Sequence, residues 1–551
     1  MIRKNLRWIA AILVASNLAL ASPSAVLAGG SQDPAEGAET TTPIKHVIVI
    51  FNENISFDHY FATYPYATNP VGEPAFHGKG DTPRANNLLS GGLLDENPNS
   101  TQPFRMDTGV ASVTCDQNHD YSPEQQAADH GLMDQYPQYT GTGSTAGSPC
   151  PDYGKGTGVV MGYFDGNTVQ GLWNYAQHFA LSDNSYGTMF GPSTVGALNL
   201  IAGTTSLATL EPSADGSKAA NAKNANGNIA NSALTGAAIG DPRPYYDNCV
   251  ATDPTTSKLY TKIRIKVTGK NVGDLLNAKS LTWGWFQGGF GPTGYDGQGR
   301  AICGAHHVGL AGDDAVTTSG DYIPHHEPFQ YFAQSTNQNH TPPSDPKLIG
   351  TSSDGANHQY DLSAFWTALG EDRLPAVTYL KAAAYQDAHP GYSDPIDEQV
   401  FVVGVVNAIM NSRYWDDTAI IIAYDDSDGW YDHVLGPVVN QSAVADDYLA
   451  ANGSCGSAAT DTQGQCGYGP RLPLFVISSY AKQNYVDHRV IDQSSILRFI
   501  EENWNLGSVG GNSSDVKAGR LNGMFDFDDN HHAPRLILDP ATGVVLPQQP
   551  E

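Results

Sequence analysis

His46-Val47-Ile48-Val49-Ile50-Phe51, with Asn52-Glu53-Asn54 directly behind it, is the stretch on which the fold turns. An unbroken apolar, β-branched run without polar alternation describes a strand buried on both faces, and the polar triplet marks its carboxyl end. Thr418-Ala419-Ile420-Ile421-Ile422-Ala423-Tyr424, ended by Asp425-Asp426, has the same form. Residues 472–477 and 374–380 read as two further strands, and residues 168–179 and 396–410 as helices between them. Buried strands alternating with helices predict an α/β fold: a mostly parallel sheet with helices on both faces and long loop insertions. In such sheets sites gather beyond the carboxyl ends of the strands, where both acidic pairs fall.

The first residues pair a basic segment (Arg3, Lys4, Arg7) with a short apolar core and a small-residue stop ending at Ala28. That pattern predicts a cleaved export signal over residues 1–28, too short in its apolar core to span a bilayer. Residues 29–42 read as a flexible lead-in, and residues 43–551 as one catalytic domain with no transmembrane segment. Removing the leader moves the net charge from -28 to about -31. So acidic a surface repels nucleic acid at long range, and a nucleic-acid partner is not expected. An anionic substrate requires a local positive centre, which a bound metal supplies. Six cysteines without a CxxC pair predict up to three disulfides after export. Cys455 and Cys466 are the expected pair; the other connections stay open. Residues 213–240, rich in Ala, Asn and Gly, read as a surface insertion.

Glu53, Asn54, Asp425 and Asp426 end two buried strands with hard oxygen ligands. Either pair alone is an ordinary polar loop; two pairs in the same topological place favour one divalent cation, with Mg, Ca, Mn, Zn and Fe all open. Ser193, in Phe190-Gly191-Pro192-Ser193-Thr194-Val195-Gly196, stands at a helix start. A serine there is ordinarily an N-cap; beside a metal it is a nucleophile, with backbone N–H groups of the helix start facing phosphate. The pattern is not Gly-x-Ser-x-Gly. Histidines cluster in Asn118-His119-Asp120, Pro324-His325-His326-Glu327 and Ala388-His389-Pro390, where cationic imidazoles can hold phosphate oxygens and protonate a leaving group. His306, His307, His358, His433, His531 and His532 read as surface or hydrogen-bonded residues.

Glu53-Asn54-Ile55-Ser56-Phe57-Asp58-His59-Tyr60-Phe61 resembles the signature of the bacterial phospholipase C and acid phosphatase family, a branch of the alkaline phosphatase superfamily. Gly191 to Gly196 is similar to its nucleophile loop. The stretches 271–276, 282–290 and 322–329, and Tyr424-Asp425-Asp426-Ser427-Asp428-Gly429-Trp430-Tyr431-Asp432-His433, are also family-like, so the resemblance covers residues 43–504. It implies an alkaline-phosphatase-like fold. It implies one metal held by Glu53, Asn54, Asp425 and Asp426, with Ser193 as further ligand and nucleophile. His119, His325, His326 and His389 would surround the phosphoryl group. Thr194 is the alternative nucleophile. Ile55 and Val195 depart from the pattern, at positions that are not ligands.

The expected activity is hydrolysis of small phosphate esters through a phosphoserine. The stretch after Tyr424 favours the broad acid phosphatase type; cleavage of phospholipid headgroup diesters, the phospholipase C reaction, is the alternative. With cationic histidines the activity maximum is expected at roughly pH 5–7. A sulfatase is disfavoured because residues 193–196 lack Cys/Ser-x-Pro-x-Arg. A non-catalytic secreted binding protein leaves the polar clusters unexplained.

Overall fold

The computed structural model of the protein describes residues 35–107, 113–143, 156–211, 235–249, 264–309, 320–456, 463–528 and 532–547. The export signal expected at 1–28, the first part of the lead-in, most of the 213–240 stretch, Cys150 and His531 lie outside the described residues. Among the described residues no helix is long and apolar enough to cross a membrane.

The quoted run forms β1 (His46–Asn52), all of it buried. In chain order come β2 (Ala180–Ser182), β3 (Ala208–Glu211), β4 (Thr235–Gly236), β5 (Arg243–Pro244) and β6 (Arg264–Val267). Then follow β7 (Trp283–Gln287), β8 (Gln359–Asp361), β9 (Val377–Lys381), β10 (Thr418–Tyr424), β11 (Leu474–Ser478) and β12 (Tyr485–Asp487). The main sheet has the order β8-β7-β9-β1-β10-β11-β2-β12. It is parallel throughout except at β11, which runs antiparallel to both neighbours. β9 and β11 begin later than the sequence suggests because Pro375 and Pro473 have no N–H to give a ladder.

Five helices matter for the site: α1 (Tyr121–Ala128), α2 (Gln170–His178), α3 (Ser193–Ala202), α4 (Pro395–Met410) and α5 (Gln493–Asn503). α3 packs with α5, and α2 with α4. Every residue of β1 and β10 is buried, as strands covered on both faces must be.

Two expectations are corrected. Residues 35–42 are not a loose lead-in: Thr41 N–H donates to the Asn503 carbonyl at 2.8 Å, and the Thr42 hydroxyl to Asn503 Oδ1 at 2.7 Å. Nor is the far end of the 213–240 stretch a surface insertion. β4 pairs with β3 in a second sheet of order β4-β3-β6-β5, and Ala237, Ala238 and Ile239 are buried.

Cys455 and Cys466 are disulfide-bonded, as expected, and a second bond joins Cys249 to Cys303. No described cysteine is free. Closing the short 455–466 loop restricts the unfolded chain. Cys455→Ala/Cys466→Ala is therefore expected to lower stability by about 2–3 kcal/mol. Urea unfolding of the two proteins checks this, and coincident midpoints would contradict it.

Candidate functional site

β1 and β10 are parallel neighbours with Asn52 opposite Tyr424. The register sets Glu53-Asn54 beside Asp425-Asp426, and all four are buried. Asp425 Oδ1 accepts from Asn54 N–H at 3.1 Å and from Asp426 N–H at 2.8 Å, so one carboxylate oxygen organises both turns. Asn54 stands at φ +49°, a left-handed conformation that Asn tolerates better than most residues.

Ser193 is the first residue of α3, and Pro192, not Ser193, is the N-cap. The serine hydroxyl instead turns to the strand ends, with Oγ 3.1 Å from Glu53 Oε2, 3.2 Å from Asp426 Oδ2 and 3.5 Å from Asn54 Oδ1. Thr194 Oγ1 lies 3.3 Å from the Tyr331 hydroxyl and 3.5 Å from the His325 carbonyl. α3 approaches so closely because residue 196 is glycine: a Cβ there would sit 2.1 Å from the Asp425 carbonyl oxygen.

A hydroxyl carries one hydrogen and can satisfy one of those three acceptors. The other oxygens converge in a water-poor site, where unpaired negative charge is costly. Burial pushes the Asp426 carboxyl well above the usual range; His119 opposes this and the charge of Asp425 adds to it. Two carboxylates, an amide oxygen and a hydroxyl converging on one point fit a hard divalent cation.

The histidines form an arc around this point. Ring centres are 4.5 Å apart for His325 and His326, 6.5 Å for His326 and His389, and 6.0 Å for His389 and His119. His326 Nδ1 is 3.1 Å from Glu53 Oε1, and His119 Nδ1 is 3.3 Å from Asp428 Oδ1. The expectation of four cationic imidazoles is corrected by their surroundings. Burial drives His326 well below the usual imidazole range and lowers His389 too. Burial also opposes charge on His119, but Asp426, Asp428, Asp116 and Asp241 outweigh it and hold it well above that range.

The helix start is more occupied than expected. Thr194 N–H donates to Asp241 Oδ1 at 2.9 Å and Val195 N–H to the Pro192 carbonyl at 2.8 Å, so neither points at a ligand. Lys381, missed in the sequence, has its fully buried ammonium against Glu53 Oε1 and 3.9 Å from Asp425 Oδ2. Burial lowers its pKa, against the pull of Asp425, Asp387 and Asp426. It is the last residue of β9, beside β1, so it occupies the same topological position as the acidic pairs.

A sequence model of the Phosphoesterase family matches residues 44–507. The chain belongs to that family. It is 31% identical over 173 residues to a non-hemolytic phospholipase C of Pseudomonas aeruginosa, 29% of this chain and 25% of that protein. It is 27% identical over 269 residues to a non-hemolytic phospholipase C of Burkholderia pseudomallei, 46% of this chain and 37% of that protein. The chain thus spans about a quarter to a little over a third of the length of these curated relatives. A solved protein of the alkaline phosphatase superfamily from Vibrio parahaemolyticus overlaps 64% of this chain and 62% of its own, at 12% identity and a TM-score of 0.26.

Within this member of the Phosphoesterase family, buried polar groups tie the loops of the site together. Glu124 of α1 accepts from Gly191 N–H at 3.0 Å and from the Ser427 hydroxyl at 2.7 Å, linking the Ser193 loop to the Asp426 loop; burial pushes its carboxyl up to about 7. Arg471 is fully buried and donates to Asp432 and Asp58, joining the stretch after β1 to that after β10. His433 completes this cluster through Asp58, and His59 stacks on Trp430 at 4.0 Å. His358 stacks on Trp283, and His307 pairs with Asp321 at 2.6 Å. None of these four belongs to the arc. If the converging oxygens hold a cation, elemental analysis should find about one divalent metal per chain, lost in Asp425→Asn/Asp426→Asn. Full metal content in that variant would contradict the assignment.

Proposed function

We propose that this phosphoesterase hydrolyses small phosphate esters with Ser193 as nucleophile. The observation that carries the reading is the Ser193 hydroxyl set at once toward Glu53 Oε2, Asp426 Oδ2 and Asn54 Oδ1 at the start of a buried helix. A divalent cation held by Glu53, Asn54, Asp425, Asp426 and Ser193 would lower the serine pKa and offset charge on the phosphoryl oxygens. Ser193 Oγ attacks phosphorus as the ester bond to the alcohol breaks, and the alcohol leaves with a proton. Water then cleaves the phosphoserine, releasing phosphate and restoring the hydroxyl. His119 is the best-supported proton donor, because four carboxylates hold its acid form. His326 and His389, lowered by burial, act as neutral hydrogen-bonders, and His325 completes the arc. Lys381 holds Glu53 Oε1, which leaves Oε2 facing the serine.

Export behind a leader at 1–28 and a single catalytic domain remain part of this reading. The broad phosphomonoesterase type is favoured over the phospholipase C reaction by the sequence after β10. The phospholipase C relatives favour the other reading, and a panel of p-nitrophenyl phosphate and p-nitrophenylphosphorylcholine separates the two. Ser193→Ala is expected to reduce kcat at least about a thousandfold with an unchanged far-UV spectrum. Near-normal turnover in it, with Thr194→Ala inactive, would move the nucleophile by one residue.

The pH profile follows from His119. As an acid held above its usual range it stays protonated past pH ~6.5, and kcat falls as pH rises through its titration. Asp116→Asn removes one of the carboxylates favouring the charged form, so the alkaline limb should move to lower pH. A limb that stays in place would assign the proton to another group.

A further inference from the structure

The second sheet places two arginines side by side. β5 and β6 are parallel, with Arg243 opposite Arg264. In-register residues of neighbouring strands point to the same face, and like charges so placed repel. Along β6 the buried and partly exposed residues alternate, which sets Arg264 and Lys266 on one face and Ile265 and Val267 in the core. The Arg264 guanidinium lies over the Tyr245 ring at 4.9 Å, and Lys266 pairs with Glu211 at 2.5 Å. Arg243 has no such relief. Its Nε is buried without a hydrogen-bond partner among the described residues. Asp247, the nearest buried carboxylate to influence it, is committed elsewhere. Its oxygens accept from the Tyr322 hydroxyl at 2.6 Å, His340 Nε2 at 3.0 Å and Cys249 N–H at 2.7 Å.

A guanidinium carries five donors, and leaving a buried one unmet is rare in a folded protein. Burial lowers the pKa of both Arg243 and Arg264, against the pull of Asp247 on each. In a chain of net charge -28, two partly buried arginines side by side are a local exception. An anion held beside the pair would give Arg243 Nε the acceptor it lacks, and carboxylate or phosphate is what the guanidinium fork fits.

The place of the pair relative to Ser193 gives that anion a role. Arg243 follows Asp241 and Pro242 directly. Asp241 accepts from Thr194 N–H and lies 3.9 Å from His325 Nε2. The Pro242 carbonyl accepts from the Tyr331 hydroxyl at 2.5 Å, and that hydroxyl meets Thr194. Arg243 is thus two residues, at most about 7 Å of chain, from a side chain touching the residue after the nucleophile.

We propose that Arg243 and Arg264 form an accessory anion site, taking a second phosphate or carboxylate carried on the alcohol part of the substrate. The proposal deepens the phosphoester hydrolase reading and rests on it for the word substrate, whereas the binding of a second anion does not. Substrates of this class are bis-phosphorylated or carboxylated alcohols.

The test uses hexyl phosphate and the bisphosphates of butane-, hexane- and octane-α,ω-diol. Turnover is measured with the holoenzyme, and binding by calorimetry with metal-loaded Ser193→Ala. At least one bisphosphate should bind about tenfold or more tighter than hexyl phosphate, as expected of a charged hydrogen bond. Arg243→Met should bring that ratio near unity, and Arg243→Lys, which keeps the charge but not the fork, should leave it intermediate. Thermal melting of both variants checks the fold, and the Lys variant carries the test if the Met variant unfolds. Equal binding of mono- and bisphosphates by the Arg243 protein, or an equal loss of both ligands in the variants, would overturn the proposal. Absence of turnover with any ester would overturn the hydrolase reading instead, leaving the calorimetric ratio to decide on Arg243.

Discussion

Negative charge concentrated at the ends of two parallel strands is the constraint around which the structure is arranged. Glu53, Asp425 and Asp426 are buried together, and Glu53 and Asp426 lie within reach of one serine hydroxyl. Isolated carboxylates do not survive in such surroundings in ionised form. The protein answers in two ways. Lys381 sets its ammonium against Glu53 from the adjoining strand, and the oxygens left over converge where a divalent ion would stand. The electrostatics and the topology are therefore one problem, because the strand order that makes the sheet also creates the charge.

Holding such a cluster requires loops that do not relax, and the braces run across the molecule. Glu124 spans from the serine loop to the aspartate loop, and Arg471 gathers Asp58 and Asp432. Each brace is a buried ion or carboxylate with its hydrogen bonds met, the condition under which buried polar networks stiffen a fold. The signature segment Phe57-Asp58-His59 serves this end. Asp58 is bound to Arg471 and His433, and His59 is sandwiched against Trp430 and pushed down to about 3 by burial.

The main sheet was legible because its central strands are unbroken β-branched runs, and the acidic pairs because they stand where such runs stop. Ser193 was legible from its turn and its family register. What stayed hidden depends on distant partners. Lys381 ends a strand just as Glu53 follows one, yet a lysine after a leucine carries no signal until β9 is known to neighbour β1. Glu124 reads as an ordinary helix acid, since its two donors lie 67 and 303 residues away. The second sheet is built from strands of two to four residues, too short for any period to show. The charge of the histidines was misjudged for the same reason: burial and neighbouring carboxylates are set by the fold, and they push His119 one way and His326 the other.

Gly196 lends the arrangement a mechanical character. With the Asp425 carbonyl lying where a side chain would begin, α3 and the end of β10 mesh like gears without clearance. A shift of one is a shift of the other, so the serine and its oxygen partners keep their spacing through whatever breathing the outer loops undergo. The chain can therefore remodel the surroundings of the site, where the lengths of its connections are free, without retuning its centre.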